Sequence, residues 1–158
     1  MVDASVKIRT ARPEDALRLH ELHAASVRAL CAKHYTKGII EGWLRSKTPS
    51  GYLPSIEREA IFVAELNQKI IGFDEAAAGA VIAVYVDPSA AGQGVGRLIL
   101  DRAVTLARNG HSGPIRVEST LNASSFYEHH GFVEVKHATV RRNQVEVPIV
   151  VMERRASP

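Results

Sequence analysis

The feature that most constrains this chain is a cluster of three glycines, Gly92, Gly94 and Gly96, in the stretch AGQGVG. A nearly all-apolar run at residues 80–86 precedes it, and apolar residues at helical spacing follow it from Val95. Glycine costs backbone entropy on folding, so this spacing indicates a turn where the backbone closely approaches another group. Because a strand here leads through a turn into a helix N-terminus, free N–H groups should point toward an anion.

Two nucleotide-binding motifs fit this stretch poorly. A P-loop requires a Lys followed by Ser or Thr after its last glycine, and neither follows Gly96. A Rossmann fingerprint requires G-x-G-x-x-G near the start of a βαβ unit, whereas this sequence reads G-x-G-x-G late in the chain. The glycines alone also leave open a tight strand–helix joint that binds nothing.

Strand and helix patterns alternate along the chain and predict a single domain over residues 1–158, of the α/β (α+β) class. The apolar run at 80–86 is predicted to be a central strand that is covered on both faces. The predicted strands are 5–10, 60–66, 70–75, 80–86, 114–120, 132–140 and 145–152, and the predicted helices are 13–33, 36–46, 95–109 and 122–131.

Composition excludes several function classes. The net charge of +3 comes without a basic stripe, so no nucleic-acid partner is expected. No apolar run is long enough to span a membrane, and the N-terminal stretch lacks a hydrophobic signal region, so a cytoplasmic protein is expected. The single cysteine, Cys31, is predicted to be buried and structural. The seven histidines complete no recognised ligand set, and no metal site is predicted.

Two motifs together resemble the GCN5-related N-acetyltransferase (GNAT) superfamily, in particular bacterial members whose substrates are unassigned. The first is residues 91–96, AGQGVG, at the strand–helix joint, and the second is VESTLNASSFYEHHGF, with Asn122, Tyr127, Gly131 and Phe132 at matching spacing. The resemblance covers almost the whole chain. It implies the GNAT fold, with a mixed central sheet of about six to seven strands flanked by about four helices, and acetyl-CoA as cosubstrate.

The resemblance also implies which residues hold acetyl-CoA. Backbone amides of the glycine turn would bind the pyrophosphate, and backbone groups of the central strand would pair with the pantetheine arm. The first motif position, usually Gln or Arg in the family, is Ala91, so Gln93 or Arg97 is expected to compensate. The cofactor-binding residues implied are Val84, Tyr85, Val86, Ala91, Gly92, Gln93, Gly94, Val95, Gly96, Arg97, Asn122, Ser125 and Tyr127.

The resemblance assigns Tyr127 as the general acid that protonates the departing thiolate, and a phenol with a pKa of about 10 is suited to this. Asn122 is predicted to cap the helix that carries Tyr127, in addition to contacting pantetheine. The general base stays open, because the position where some members carry Glu is Ala80. The candidates are Glu118, the first choice, with Glu65, Asp74, Glu75, His34 or a water chain as alternatives.

The acceptor side is expected at residues 31–43, because the first two helices and their loop form that wall in the family. His34, Tyr35 and Trp43 are the predicted wall residues, although Tyr35 and Trp43 also fit a core position. The expected partner is a primary amine on a small molecule, peptide or protein, and a homodimer is common in the family. The alternative function is a catalytically silent module that binds acyl-CoA.

Overall fold

The computed structural model describes residues 5–155, which form one seven-stranded sheet and five α-helices. The strands are β1 (Lys7–Thr10), β2 (Ile61–Leu66), β3 (Lys69–Ala77), β4 (Ala80–Val86), β5 (Ile115–Thr120), β6 (Val133–Arg142) and β7 (Val145–Arg154). The helices are α1 (Ala16–Leu30), α2 (Lys37–Arg45), α3 (Leu53–Glu57), α4 (Val95–Arg108) and α5 (Ser124–His129). The mixed α/β class and the strand number are as predicted, while the domain limits predicted at residues 1 and 158 lie outside the described residues.

The sheet has the order β1-β2-β3-β4-β5-β7-β6, so β4 is the central strand. Every neighbouring pair is antiparallel except β4 and β5, which run parallel. Helix α4 packs on one face, where Leu100 and Ala103 join the sheet core, and α1 packs on the other face through Leu19 and Leu22. The chain therefore forms a helix–sheet–helix sandwich around its apolar centre.

The central strand β4 carries a β-bulge close to the point where it diverges from β5. Glu75 of β3 pairs with Ala83, but the next residue, Ala76, pairs with Val81, so Ile82 has no partner across this pair. Bulges bend and twist a strand locally. The pairing of β4 with β5 correspondingly covers only Ala80 and Val81, after which the two strands diverge and leave an opening in the middle of the sheet.

The prediction that β4 is covered on both faces is wrong, and the bulge is the reason. Ile82 is 53% exposed although its sequence neighbours are apolar. Val84, Tyr85 and Val86 are only half-buried, because they border the opening where β5 has moved away. The apolar residues of β4 therefore line a cleft in addition to contributing to the core.

Close packing of α4 on the sheet depends on Gly72 in β3. A Cβ atom at Gly72 would lie 3.1 Å from Cγ1 of Val95, the first residue of α4, and 3.2 Å from the carbonyl oxygen of Tyr85. The missing side chain lets the start of α4 approach β4. It thereby brings the helix N-terminus to the edge of the opening.

Two local predictions differ from the structure. The short helix α3 was not predicted, because Pro49 and Gly51 indicated only a break, while Pro54 occupies the first turn where its missing N–H is harmless. Asn122 is not the helix cap: it lies in a 3₁₀ turn, and α5 begins after Ala123 without a side-chain cap. Its side chain is thus available for another contact.

Within residues 5–155, none of the helices is both long enough and apolar enough to cross a membrane.

Candidate active site

A cleft of about 770 Å³ opens where β4 and β5 diverge and extends to the N-terminus of α4. It collects residues from the end of α1, from β4 and the glycine turn, and from the end of β5 into α5. They are Ser26, Leu30, Cys31, Val84, Tyr85, Val86, Ala91, Gly92, Gly94, Gly96, Arg97, Thr120, Asn122, Ala123, Phe126, His129 and His130. Most of this lining is apolar or backbone, which is typical of a ligand site.

The glycine turn presents free backbone amides to the cleft. Gly92 and Gly94 have φ angles of +78° and +86°, which L side chains rarely adopt. The helix starts directly after Gly94, no side chain caps it, and the first hydrogen bond back to Gly94 is donated by the Leu98 N–H at 3.2 Å. The three preceding N–H groups of α4, residues 95–97, have no partner inside the helix, so this end is suited to an anion.

Gly96 keeps the cleft open beside α5. A Cβ atom there would lie 3.2 Å from Cε1 of Phe126 and 3.7 Å from Cγ2 of Val86. The Phe126 ring in turn packs edge-on against His130 at a centroid distance of 4.7 Å. Of the three clustered glycines, two provide the turn and the third provides space between two helices.

A polar atom inside the cleft lacks a partner. Asn122 Oδ1 is buried and accepts no hydrogen bond, although buried carbonyl oxygens are nearly always paired. Asn122 lines the cleft, so a ligand N–H could occupy this acceptor. Nearby, burial raises the pKa of the Cys31 thiol to about 11, which keeps it protonated near neutrality. The predicted burial of Cys31 is confirmed.

Tyr127 lies in the core next to the cleft and is 5% exposed. Its ring packs edge-on against Phe126 at 5.2 Å and Phe132 at 5.4 Å. Burial raises the pKa of its phenol well above the usual value, and Tyr127 is close enough to the cleft residue Tyr85 to raise the pKa of that phenol as well. Tyr127 is therefore protonated near neutral pH.

None of the five candidate bases lines the cleft. Glu118 is exposed and forms a 3.5 Å ion pair with Arg116 on the same strand. The other candidates are placed elsewhere: Glu65 pairs with Arg9 near the sheet edge, Glu75 accepts a hydrogen bond from Ser55, Asp74 is fully buried, and His34 is exposed in the turn after α1.

Two of the predicted acceptor residues belong to the core. Tyr35 and Trp43 are 6% and 4% exposed and pack together with ring centroids 6.3 Å apart. The Tyr35 hydroxyl donates to the Pro148 carbonyl at 2.5 Å and accepts from the Leu121 N–H at 2.9 Å. Tyr35 thus connects β7 to the turn before α5. Tyr35 and Trp43 take the core position that the sequence left open as the alternative, and neither lines the cleft.

The cleft gathers nine of the thirteen predicted cofactor-binding residues. The other four lie beside it: the Gln93 amide donates to the Ser89 carbonyl at 3.4 Å, Val95 is buried at the start of α4, Ser125 is exposed, and Tyr127 is in the core.

Eight further residues line the cleft that the sequence did not indicate. They are Ser26, Leu30, Cys31, Thr120, Ala123, Phe126, His129 and His130. Phe126 and His129 lie in the same helix as Tyr127, and His130 follows it directly, so their closeness to Tyr127 in the sequence was the available signal. The α1 residues carried no local signal, because only the fold brings α1 to β4.

Residues 57–134 match the model of the acetyltransferase (GNAT) domain. They form a GNAT acetyltransferase domain. The match contains all the cleft residues except the three at the end of α1. The fold of residues 5–155 is the GNAT fold, and the cosubstrate of this domain is acetyl-CoA.

Known proteins are similar over nearly the full chain. An Escherichia coli protein named "Uncharacterized N-acetyltransferase YafP" is 23% identical over 136 residues, 86% of this chain and 87% of that protein. A GCN5-related N-acetyltransferase structure from Rhodopseudomonas palustris superposes with a TM-score of 0.83 at 24% identity, covering 99% of both chains. The PaiA N-acetyltransferase of Thermoplasma acidophilum, solved with coenzyme A, gives a TM-score of 0.76 at 23% identity over 96% of this chain and 99% of its own.

The cleft of this GNAT domain fits acetyl-CoA in the features that can be tested directly. It offers free amides for an anionic group at one end and an unpaired amide oxygen for an N–H group along its wall. Among residues 5–155, no group of three or more His, Cys, Asp or Glu side chains could hold a metal ion.

Proposed function

We propose that the protein transfers the acetyl group of acetyl-CoA directly to a primary amine while both substrates are bound. The observation that carries the proposal is the cleft itself: a bulge opens the sheet beside β4, and the opening ends at the uncapped N-terminus of α4. A thioester held there would lie between two strands, with its phosphates on the helix amides.

Each part of acetyl-CoA has a proposed partner. The amides of residues 94–97 take the pyrophosphate, with Arg97 at the same rim adding positive charge. Backbone groups of Val84–Val86, left without a β5 partner, pair with the amides of the pantetheine arm. Asn122 Oδ1 accepts a hydrogen bond from one pantetheine N–H. This buried oxygen thereby gains the hydrogen-bond partner that it lacks in the free protein.

In the proposed reaction the amine nitrogen bonds to the acetyl carbon and the carbon–sulfur bond breaks. A backbone N–H of β4 polarises the thioester carbonyl. Tyr127 gives its proton to the departing thiolate and recovers a proton from water afterwards, and its buried environment keeps the phenol protonated until the thiolate forms.

The proton that the amine must lose goes to water in this proposal, because no carboxylate lines the cleft. Glu118 is the alternative base on β5, and it would first have to leave Arg116. The predicted homodimer and cytoplasmic location stay predictions.

The decisive experiment measures thiol release from acetyl-CoA in the presence of a panel of primary amines. Direct transfer predicts thiol release that requires both substrates, with intersecting initial-rate lines. A silent acyl-CoA-binding module, the alternative, would bind acetyl-CoA in calorimetry yet release no thiol with any amine. Parallel rate lines would instead indicate a covalent acetyl-enzyme and refute direct transfer.

A further inference from the structure

Two basic side chains on the α1 face of the sheet form no ion pair within residues 5–155. Lys47 lies in the loop after α2, and Arg142 is the last residue of β6. Both are half-buried, and neither side chain makes an ion pair or hydrogen bond to any of residues 5–155. By contrast, the half-buried guanidinium groups of Arg9 and Arg18 are paired with carboxylates at 2.6–2.9 Å.

Both cations are carried by fixed backbone. The His20 ring N–H donates to the Lys47 carbonyl oxygen at 3.1 Å, which ties the loop to α1. The Asn143 amide, next to Arg142, donates to the Gly42 carbonyl at 3.2 Å, which ties the hairpin tip to α2.

The two positive charges are also close to each other. Burial lowers the pKa of Lys47, and the charge of Arg142 lowers it further, while Glu75 acts in the opposite direction. Glu75 itself accepts a hydrogen bond from Ser55 at 2.8 Å. Like charges that are held together away from bulk water cost free energy unless an anion joins them.

Both cations lie near His23 of α1, whose pKa is lowered mainly by burial and further by the charges of Lys47 and Arg142. Tyr85 lines the cleft, and its ring stacks on His23 of α1 with centroids 4.1 Å apart. The charge of Arg142 is near enough to act on the Tyr85 phenol, against the dominant effect of burial. A molecule bound by Lys47 and Arg142 would therefore lie near the stacked rings of His23 and Tyr85, which adjoin the cleft.

We propose that Lys47 and Arg142 bind an anionic group, carboxylate or phosphate, on the acceptor amine. The acceptor class is then an amine that carries its own anion, such as an amino acid, and not a polyamine. This inference rests on the proposed function, since an acceptor site needs an acyl donor. Beyond that function, the positive charges of Lys47 and Arg142 would determine which acceptor amines bind.

The first test compares acceptors that differ only in the anion. Thiol release from acetyl-CoA is measured with L-amino acids and their matched amides, with O-phosphoethanolamine and ethanolamine, and with spermidine. The expected result is a kcat/KM about 10-fold or more higher for the anionic member of a pair. The amino-acid and phosphoethanolamine arms show whether the anion is carboxylate or phosphate.

The second test uses Lys47→Met and Arg142→Gln, with Lys136→Met on the exposed surface of β6 as matched control. Each of the two variants should raise the KM for the anionic acceptor about 10-fold, while the KM for the neutral partner and the affinity for acetyl-CoA stay unchanged. A merely structural role would instead lower the melting temperature and affect both acceptors equally.

Preference for spermidine or for the neutral amines would overturn the inference, and so would acetyl-CoA binding without turnover of any anionic amine. Absence of acetyl-CoA binding in calorimetry would contradict the proposed function, which separates the two failures.

Discussion

The buried carboxyl of Asp74 should make the protein less stable as the pH rises. Asp74 lies in β3 between Phe62 of β2 and Val84 of β4, is fully buried, and neither of its carboxyl oxygens has a hydrogen-bond partner. Burial raises its pKa from 3.8 to about 8, an effect that the Phe62 amide and Arg102 offset only in part and to which Glu75 adds.

The sign follows from proton binding in the two states. Below pH 3.8, the ordinary value, both the folded and the unfolded chain hold the proton, so the ionisation of Asp74 does not affect the free energy of unfolding. Between that value and about 8, the unfolded chain has released the proton while the folded chain retains it. The free energy of unfolding should therefore fall by about 1.4 kcal/mol per pH unit in this window. The upper bound is about 6 kcal/mol, a large part of the 5–15 kcal/mol typical of a domain.

Urea unfolding of the wild type and Asp74→Asn measures this effect. From about pH 5 to about pH 7.5 the wild type should lose about 3 kcal/mol more than Asp74→Asn, since the amide does not titrate. With a typical urea m-value, that corresponds to a relative midpoint shift of about 1.5 M. Asp101→Asn, on the exposed surface of α4, is the control and should retain the wild-type pH dependence. Equal pH dependence in wild type and Asp74→Asn would refute the reasoning.

Three further variants test the site. Tyr127→Phe should keep acetyl-CoA affinity and lower kcat at least ~10-fold, and unchanged kcat with a good acceptor would exclude Tyr127 as the acid. Gly96→Val should weaken acetyl-CoA binding in calorimetry about 10-fold or more by crowding Phe126, whereas Gly38→Val in α2, where a Cβ meets nothing closer than 3.9 Å, should not; equal affinities would contradict the packing argument. Tyr35→Phe should lower the free energy of unfolding by about 1–3 kcal/mol, because it leaves buried groups unpaired; an altered acceptor KM with unchanged stability would restore its role as a wall residue.

Local pattern was sufficient for much of the fold. The bounds of β4 follow from its apolar run alone, and the glycine turn is evident because positive φ angles require glycine. The alternation of apolar residues also predicted the closing hairpin of β6 and β7. These features depend on neighbours in the sequence, which periodicity captures.

Features that depend on distant residues could not be predicted. The bulge at Ile82 depends on the register in which β3 and β4 pair. The sequence of β4 by itself therefore does not indicate it. The partners of the Tyr35 hydroxyl are 86 and 113 residues away in the chain, so its core position follows only from the fold. The contribution of α1 to the cleft could not be predicted either, because it depends on contacts with residues that are distant in the sequence.

The measurement that tests the central claim most directly is a calorimetric titration of acetyl-CoA into wild type, Gly94→Trp and Gly110→Trp. Both glycines have positive φ angles, +86° and +72°, but only Gly94 lines the cleft. The account predicts micromolar binding by wild type and Gly110→Trp and at least ~100-fold weaker binding by Gly94→Trp. Equal affinities in all three proteins, or no binding by the wild type, would contradict the assignment of this cleft to acetyl-CoA.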